Sequence, residues 1–167
     1  MEKVQFKASY DNSVKIFTAL YFIMIILVIC WELFPDLRYA LTPLNNVTHF
    51  IPVMILVLIT LIAYGYSANK YMVSEQGLEI HAPFRKIVIP KSEIAEVRLI
   101  PNDELHPMVR IFGVGGPFGF NGRYRSARLG TIHMHATRRN DYLLVREKSG
   151  KLTIITPDDH SIINHLV

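Results

Sequence analysis

Two long runs without a charged side chain constrain the fold of this chain more than any other feature of the sequence. The first extends from Ile16 to Trp31 and the second from Phe50 to Ala68. Both are apolar on every helical face, so neither has the single apolar stripe of a helix that packs on a soluble core. A helix needs about 20 residues to cross a hydrocarbon layer of roughly 30 Å. The sequence therefore predicts two transmembrane helices, over residues 14–34 and 48–69.

The composition supports a membrane region followed by a more polar domain. Hydrophobic residues make up 50% of the 167 residues and charged residues only 19%, whereas average soluble domains have roughly 25% charged residues. The single cysteine, Cys30, lies in the first apolar run, which excludes an intramolecular disulfide and a cysteine-rich metal site. A cleaved signal peptide is the alternative for the first run. Its length and the second run close behind it argue against cleavage.

The distribution of lysine and arginine predicts the orientation of the two helices. Basic residues occur in the segment before the first helix, residues 1–13, and at the start of the last region. In the predicted connecting loop, residues 35–47, Arg38 is the only lysine or arginine. Because basic flanks stay on the cytoplasmic side, both termini are predicted to lie on the cytoplasmic side of the membrane and the loop on the opposite side. The net charge of +4 also favours anionic neighbours such as lipid headgroups or nucleic acid.

Residues 70–167 are predicted to form a separate cytoplasmic domain. Apolar and polar residues alternate there in short runs with the period of a strand. Turn residues such as Glu75-Gln76-Gly77 separate these runs. The segments read as about seven strands: two in YMVSEQGLEIH, on either side of that turn, and one each in KIVIP, EIAEVRLIP, TIHMHAT, YLLVRE and KLTIIT. At the end, Thr156 or Asp158 is the expected cap of one helix, with Ile162, Ile163 and Leu166 on its apolar face. The predicted class is an α+β membrane protein: a helical hairpin followed by a barrel or sandwich of about seven antiparallel strands and a C-terminal helix.

Three segments resemble the bacterial PH (pleckstrin homology-like) domain family. They are RIFGVGGPFGFNGRYRSARLG, TIHMHATRRNDYLLV and TIITPDDHSIINHL, and the resemblance covers Tyr71 to Leu166. It implies a PH-like fold on a membrane-anchored chain, with no shared catalytic residues and no single activity. Eukaryotic PH domains that bind phosphoinositides usually have a basic first hairpin loop. The corresponding loop, Ser74 to Gly77, is acidic here, so the resemblance does not imply that lipid site.

A run of arginines without an intervening acid is the main candidate site. Guanidinium groups bind phosphate and carboxylate in bidentate fashion, so these residues predict a surface for anionic headgroups or an acidic partner. The alternative is ordinary positive bias on solvated strand faces. The glycine-rich segment from Pro101 to Arg128 is predicted to be a crossing loop or partner surface, because it lacks the spacing of a nucleotide-binding loop. The six arginines are Arg110, Arg123, Arg125, Arg128, Arg138 and Arg139.

Other functions have weaker signals. His133 and His135 share one face of a strand and could ligate one metal, but scattered histidines are the commoner explanation. No nucleophile–base or paired-carboxylate arrangement emerges, and no motif for nucleic acid is present.

We therefore expect a non-catalytic module, without metal or cofactor, that binds a partner protein, itself or anionic lipid. The alternative is an accessory subunit of a membrane transporter or enzyme complex in which the hairpin is the working part. Thr18 and Thr60 are nearly the only polar residues in the spans, which disfavours independent transport.

Overall fold

The computed structural model describes residues 3–33 and 50–166, so the predicted external loop, residues 35–47, lies outside the described part of the chain. Two apolar helices precede most of the domain: α1, Asn12–Leu33, and α2, Phe50–Tyr66. Their side chains are largely exposed, as expected for helices without a protein layer around them.

The two helices differ in length. Within the described ranges, α1 is the one helix long and apolar enough to cross a membrane, over Asn12–Glu32. The 17 residues of α2 span about 26 Å at 1.5 Å per residue, somewhat less than a hydrocarbon layer of roughly 30 Å. The predicted pair of spans is thus supported for α1, and the crossing of α2 stays a prediction.

Four antiparallel strands form the first sheet, and one of them precedes the helices. The order is β1-β2-β3-β4, with β1 at Val4–Lys7, β2 at Lys70–Ser74, β3 at Gly77–Ala82 and β4 at Arg85–Pro90. Phe6 of β1 lies opposite Tyr71 of β2, and only 5% of its surface is exposed. The N-terminal segment, predicted only as a cytoplasmic extension, therefore contributes a strand to the domain.

Six strands form the second sheet, in the order β5-β9-β10-β8-β7-β6. They are β5 Ile94–Ile100, β6 Met108–Gly116, β7 Gly119–Ser126, β8 Gly130–Ala136, β9 Tyr142–Glu147 and β10 Leu152–Ile155. A 3-10 turn, Lys91–Glu93, precedes β5, and a short helix, α3 (Asn102–Leu105), follows it.

All seven predicted strands are present, but the antiparallel prediction is wrong for one pair. β10 runs parallel to β8 and antiparallel to β9. The tight turn after β9 pairs β9 with β10, and β5 occupies the other edge of β9, so the free edge of β10 meets β8. Sequence reasoning missed β1, β6 and β7. The two sheets stay open, so the domain is a sandwich rather than a closed barrel.

Side-chain alternation gives the second sheet two buried faces. Leu143, Val145 and Ile155 pack against the first sheet, while Leu144 and Ile154 point into a second cluster on the opposite face. The period of two in a strand sends neighbouring residues to opposite faces, which explains why these strands are apolar without interruption.

The C-terminal helix is shorter than predicted and has a different cap. It is α4, Ile162–Leu166, and Ile162 and Leu166 are buried in the cluster between the sheets. Asp159 accepts a hydrogen bond from the Ser161 backbone at 2.8 Å. Asp158 instead binds Ser9 at the end of the N-terminal strand segment, so the predicted cap at Thr156 or Asp158 is wrong. The N-terminal segment competes for that carboxylate, which sequence periodicity does not reveal.

Candidate functional site

The tip of the β6–β7 hairpin joins the domain to the helices. Phe118 lies between Phe22 of α1 and Tyr64 of α2, at ring-centroid distances of 6.0 and 5.7 Å. Its backbone N–H donates to the Thr18 hydroxyl at 3.1 Å, and its carbonyl accepts a hydrogen bond from Ser67. Thr18 is thus used to hold the domain against the helices.

A cavity of about 770 Å³ opens where α2, the first sheet and the β6–β7–β8 part of the second sheet meet. We call it the junction cleft. We call its apolar lining residues, Ile62, Tyr66, Ile87, Phe112 and Val114, the apolar wall, and its polar lining residues, mainly Arg85, Asn121, Arg123, His133, His135 and Lys151, the polar wall. The two sets lie side by side, since Phe112 pairs with Arg123 and Arg85 lies over the Tyr66 ring. None of the described lining residues is Asp or Glu.

Strand register explains the polar wall. Arg123 and Asn121 lie two apart on β7 and therefore share a face, and the register pairs them with His133 and His135 of β8. The alternating residues of β7, such as Tyr124, point into the core on the opposite face. A short stretch of N-G-R-Y sequence thereby sends an amide and a guanidinium into the same cleft.

Arg85 reaches the cleft from the first sheet. Its guanidinium lies over the Tyr66 ring, 4.8 Å from the centroid, and its Nη2 donates to His135 Nδ1 at 3.2 Å. Burial lowers the pKa of Arg85, although a guanidinium stays charged at any physiological pH. Burial, together with the charge of Arg85, lowers the pKa of His135 to about 3. His135 is therefore a neutral acceptor beside a cation.

Two polar groups of the cleft lack hydrogen-bond partners. Only 4% of the Asn121 surface is exposed, and neither its Oδ1 nor its Nδ2 is satisfied by any described residue. The Nε of Arg85 is also buried without a partner. A buried amide left unsatisfied costs roughly 1–3 kcal/mol, so such a group is expected where another molecule supplies the missing bonds.

The buried imidazole predicts a pH dependence of stability. The pKa of His135 is about 3 in the folded domain and 6.5 without burial, so unfolding takes up a proton below pH 6.5. The contribution of the neutral His135 to the free energy of unfolding is fully present above pH 6.5 and is lost as the pH falls below that value. We expect urea titrations to show about 1.4 kcal/mol of lost unfolding free energy per pH unit between 6.5 and 4.5.

The control for this effect is a histidine variant elsewhere. His135→Gln is expected to reduce the slope without removing it, because burial also lowers the pKa of His133, whereas replacement of the exposed His106 by Gln leaves it unchanged. Glu79, whose pKa is lowered to about 2 by its hydrogen bond to His81, affects stability only below about pH 4.5. An unaltered slope in His135→Gln would contradict this assignment.

Three of the predicted arginines lie on the β6–β7 hairpin, and they do not share one face. Arg123 lines the junction cleft. Arg125 is on the same face of β7 but is exposed outside the cleft. Arg110 lies opposite Tyr124 on the other face, where the Tyr124 hydroxyl donates to the Val114 carbonyl at 2.8 Å.

The other three predicted arginines make local contacts. Arg138 donates to the Pro157 carbonyl and is half-buried against the C-terminal segment. Arg139 lies over aromatic rings of α1 and β7, 5.0 and 5.2 Å from their centroids. Arg128 is 3.8 Å from Asp103, and both side chains are exposed, so this pair contributes little stability. A binding role for the six arginines as one surface stays a prediction.

Sequence reasoning missed much of the polar wall. Arg85 lies on β4 of the first sheet and reaches β7 through the packing of the two sheets. Lys151 directly precedes β10, and the pairing of β10 with β8 brings it near β7. Asn121 had a usable signal, since it alternates with Arg123, but only once β7 is recognised as a strand. His133 and His135 share a face as predicted. No cluster of three His, Cys, Asp or Glu that could hold a metal occurs within residues 3–33 and 50–166.

Comparison with known families gives one match. Residues 69–166 match the family described as bacterial PH domain, which confirms the resemblance predicted from the sequence. The matched region contains all the strands except β1, and it begins just after α2. No curated protein and no solved structure matches the chain.

Proposed function

The chain belongs to the bacterial PH domain family, and we propose that it is a non-catalytic binding module anchored by α1 and α2 at the inner face of a bacterial cytoplasmic membrane. In this proposal the junction cleft receives an anionic group of the ligand or partner. Binding to a protein partner and self-association remain predictions from the sequence.

The observation that carries the proposal is the position of the junction cleft. Cationic side chains and an unsatisfied amide line the same cavity as Ile62 and Tyr66, from the end of α2. The domain itself is tied to both helices through Phe118. A module built in this way holds its anion-binding groups at the level where the helices would leave a membrane.

The pairing of the strands supports a position of both chain ends on the same side of the membrane. β1 precedes α1 and pairs with β2, which follows α2. If the helices form a transmembrane hairpin, the N-terminal strand and the domain must lie on one side. The basic residues Lys3, Lys7 and Lys70 near these ends favour the cytoplasmic side.

Membrane fractionation with single-cysteine labelling tests this function. In a Cys30→Ser background, Gln5→Cys and Lys148→Cys mark β1 and the exposed β9–β10 turn, and Asn45→Cys marks the predicted external loop. We expect the chain to stay in the membrane pellet after an alkaline wash. A membrane-impermeant maleimide should label Asn45→Cys in intact spheroplasts and the other two only after lysis.

Two outcomes would contradict the proposal. Recovery of the chain in the soluble fraction would remove the membrane anchor. Labelling of Asn45→Cys and Lys148→Cys from the same side would show that α2 does not cross, and the hairpin anchor would then be wrong.

A further inference from the structure

We propose that the junction cleft binds an anionic phospholipid, with its phosphate on the polar wall and its acyl chains beside α2. The inference deepens the proposed function and rests on it, because the ligand enters from the membrane that α1 and α2 occupy. The shared chemistry of the site is recognition of a phosphate group, which a soluble phosphate ester also carries.

The polar wall provides the charge for a phosphate. Lys151 already has a partner, since its Nζ is 3.1 Å from Glu147 Oε1. Arg85 and Arg123 have no carboxylate of the described residues within salt-bridge distance. These two guanidinium groups therefore supply positive charge that no carboxylate in residues 3–33 and 50–166 neutralises, and guanidinium matches the oxygens of a phosphate.

The unsatisfied groups match the same ligand. The Nδ2 of Asn121 and the Nε of Arg85 are buried donors without partners, and a phosphate oxygen accepts from both kinds of group. Lys151 and the neutral His135 complete the polar side. A phosphate in this position would satisfy donors that otherwise destabilise the folded domain.

The apolar wall distinguishes a lipid from a soluble phosphate. Phe112 is 73% exposed and Ile62 is 45% exposed, although both line the cleft. From Ile62 the exposed apolar surface continues along α2 through Leu58 and Ile55. An acyl chain leaving the cleft would stay in contact with this surface, whereas a water-soluble ester would leave it exposed.

The site differs from the first hairpin loop discussed above. That loop contains the exposed Glu75 between β2 and β3, and none of its residues lines the cleft. A volume of about 770 Å³ falls within the 300–1,000 Å³ typical of ligand pockets. It is large enough for a glycerophosphate headgroup and the first part of its chains.

Native mass spectrometry of the full-length chain in nanodiscs tests the inference. The nanodiscs contain equal amounts of phosphatidylglycerol, which is anionic, and phosphatidylcholine, which is zwitterionic. We expect retained phosphatidylglycerol adducts to exceed phosphatidylcholine adducts about tenfold, since none of the described lining residues is an acid that could bind choline. Arg123→Gln should reduce retained phosphatidylglycerol about tenfold.

Two further variants separate the cleft from general surface charge. Arg125→Gln removes the same charge from the same face of β7, outside the cleft, and should change retention less than twofold. Asn121→Leu removes the unsatisfied amide and occupies part of the cleft without adding a charge, and should abolish retention. Unchanged far-ultraviolet circular dichroism of each variant verifies that the domain is folded.

The outcomes separate the inference from the proposed function. Equal losses in Arg123→Gln and Arg125→Gln would overturn it, because general charge would then explain the binding. Competition by millimolar glycerol 3-phosphate as effective as that by phosphatidylglycerol would also overturn it and assign the cleft to a soluble ester. If the wild-type chain stays in the membrane pellet but retains no more phosphatidylglycerol than Arg123→Gln, the inference is wrong and the anchored module stands. Recovery of the chain in the soluble fraction would overturn both.

Discussion

Replacing Phe6 with alanine will lower the free energy of unfolding of the domain by about 3–5 kcal/mol, the range for deleting a buried phenylalanine side chain. Phe6 is 5% exposed and belongs to the cluster between the two sheets, where its ring centroid lies 5.8 Å from that of His165. The residue precedes α1, yet it completes a core formed mostly by residues that follow α2. Urea titration of the full chain in detergent, followed by circular dichroism, measures the change.

Gln5 provides the matched control on the same strand. It is exposed, because successive residues of β1 point to opposite faces. Gln5→Ala should change the unfolding free energy by no more than about 0.5 kcal/mol. Equal effects of the two substitutions, or a loss below about 1 kcal/mol for Phe6→Ala, would show that β1 is not part of the folded core. The domain would then begin after α2, as the matched residues 69–166 alone suggest.

Local sequence patterns were sufficient for the strands with regular alternation and clear turns. The turn at Glu75-Gln76-Gly77 is a good example, since it connects β2 and β3 as predicted and Gly77 has a φ of 135°. The apolar helices were equally clear, because in a bilayer an uncharged run of this length satisfies its backbone hydrogen bonds internally only as a helix. These elements depend on neighbouring residues, which a single sequence shows directly.

The three missed strands have two different causes. β1 has four residues and becomes a strand because the edge of β2 is free to pair with it. In β6 and β7, glycines and a register shift between Arg110 and Phe112 interrupt the alternation. The segment looked like a loop because its hydrophobic period is broken, although its backbone is paired along most of its length.

The candidate site was predictable only in part, because it depends on the face of the strand that each residue occupies and on the packing of the two sheets. The arginine run identified Arg123, but it also included Arg138 and Arg139, whose guanidinium groups are engaged by the C-terminal segment and by aromatic rings. Contiguity in sequence does not determine which side of a strand a residue faces. Arg85 enters the site only because the two sheets pack together.

Replacing Gly122 with alanine will unfold the β6–β7 hairpin locally and lower the unfolding free energy by about 4 kcal/mol or more, an exceptional loss for one substitution. Gly122 pairs with Gly113, and the two backbones approach so closely that a Cβ on Gly122 would lie 2.7 Å from Gly113 Cα and closer still to the Phe112 carbonyl oxygen. The φ of Gly122 is 132°, which L-residues rarely adopt. Because both glycines line the junction cleft, the variant should also lose ligand retention.

The substitution Gly116→Ala separates the conformational cost of a side chain at positive φ from the cost of the close backbone contact. The φ of Gly116, 133°, is nearly that of Gly122, but a Cβ there would meet no atom within 4 Å. Gly116→Ala therefore has the conformational cost alone, of order 1–3 kcal/mol, and should keep the cleft intact. Comparison of the two urea titrations isolates the cost of the backbone contact. Equal losses would mean that β6 and β7 do not approach each other as closely as the glycine pair requires, and the cleft wall that they form would have to be placed differently.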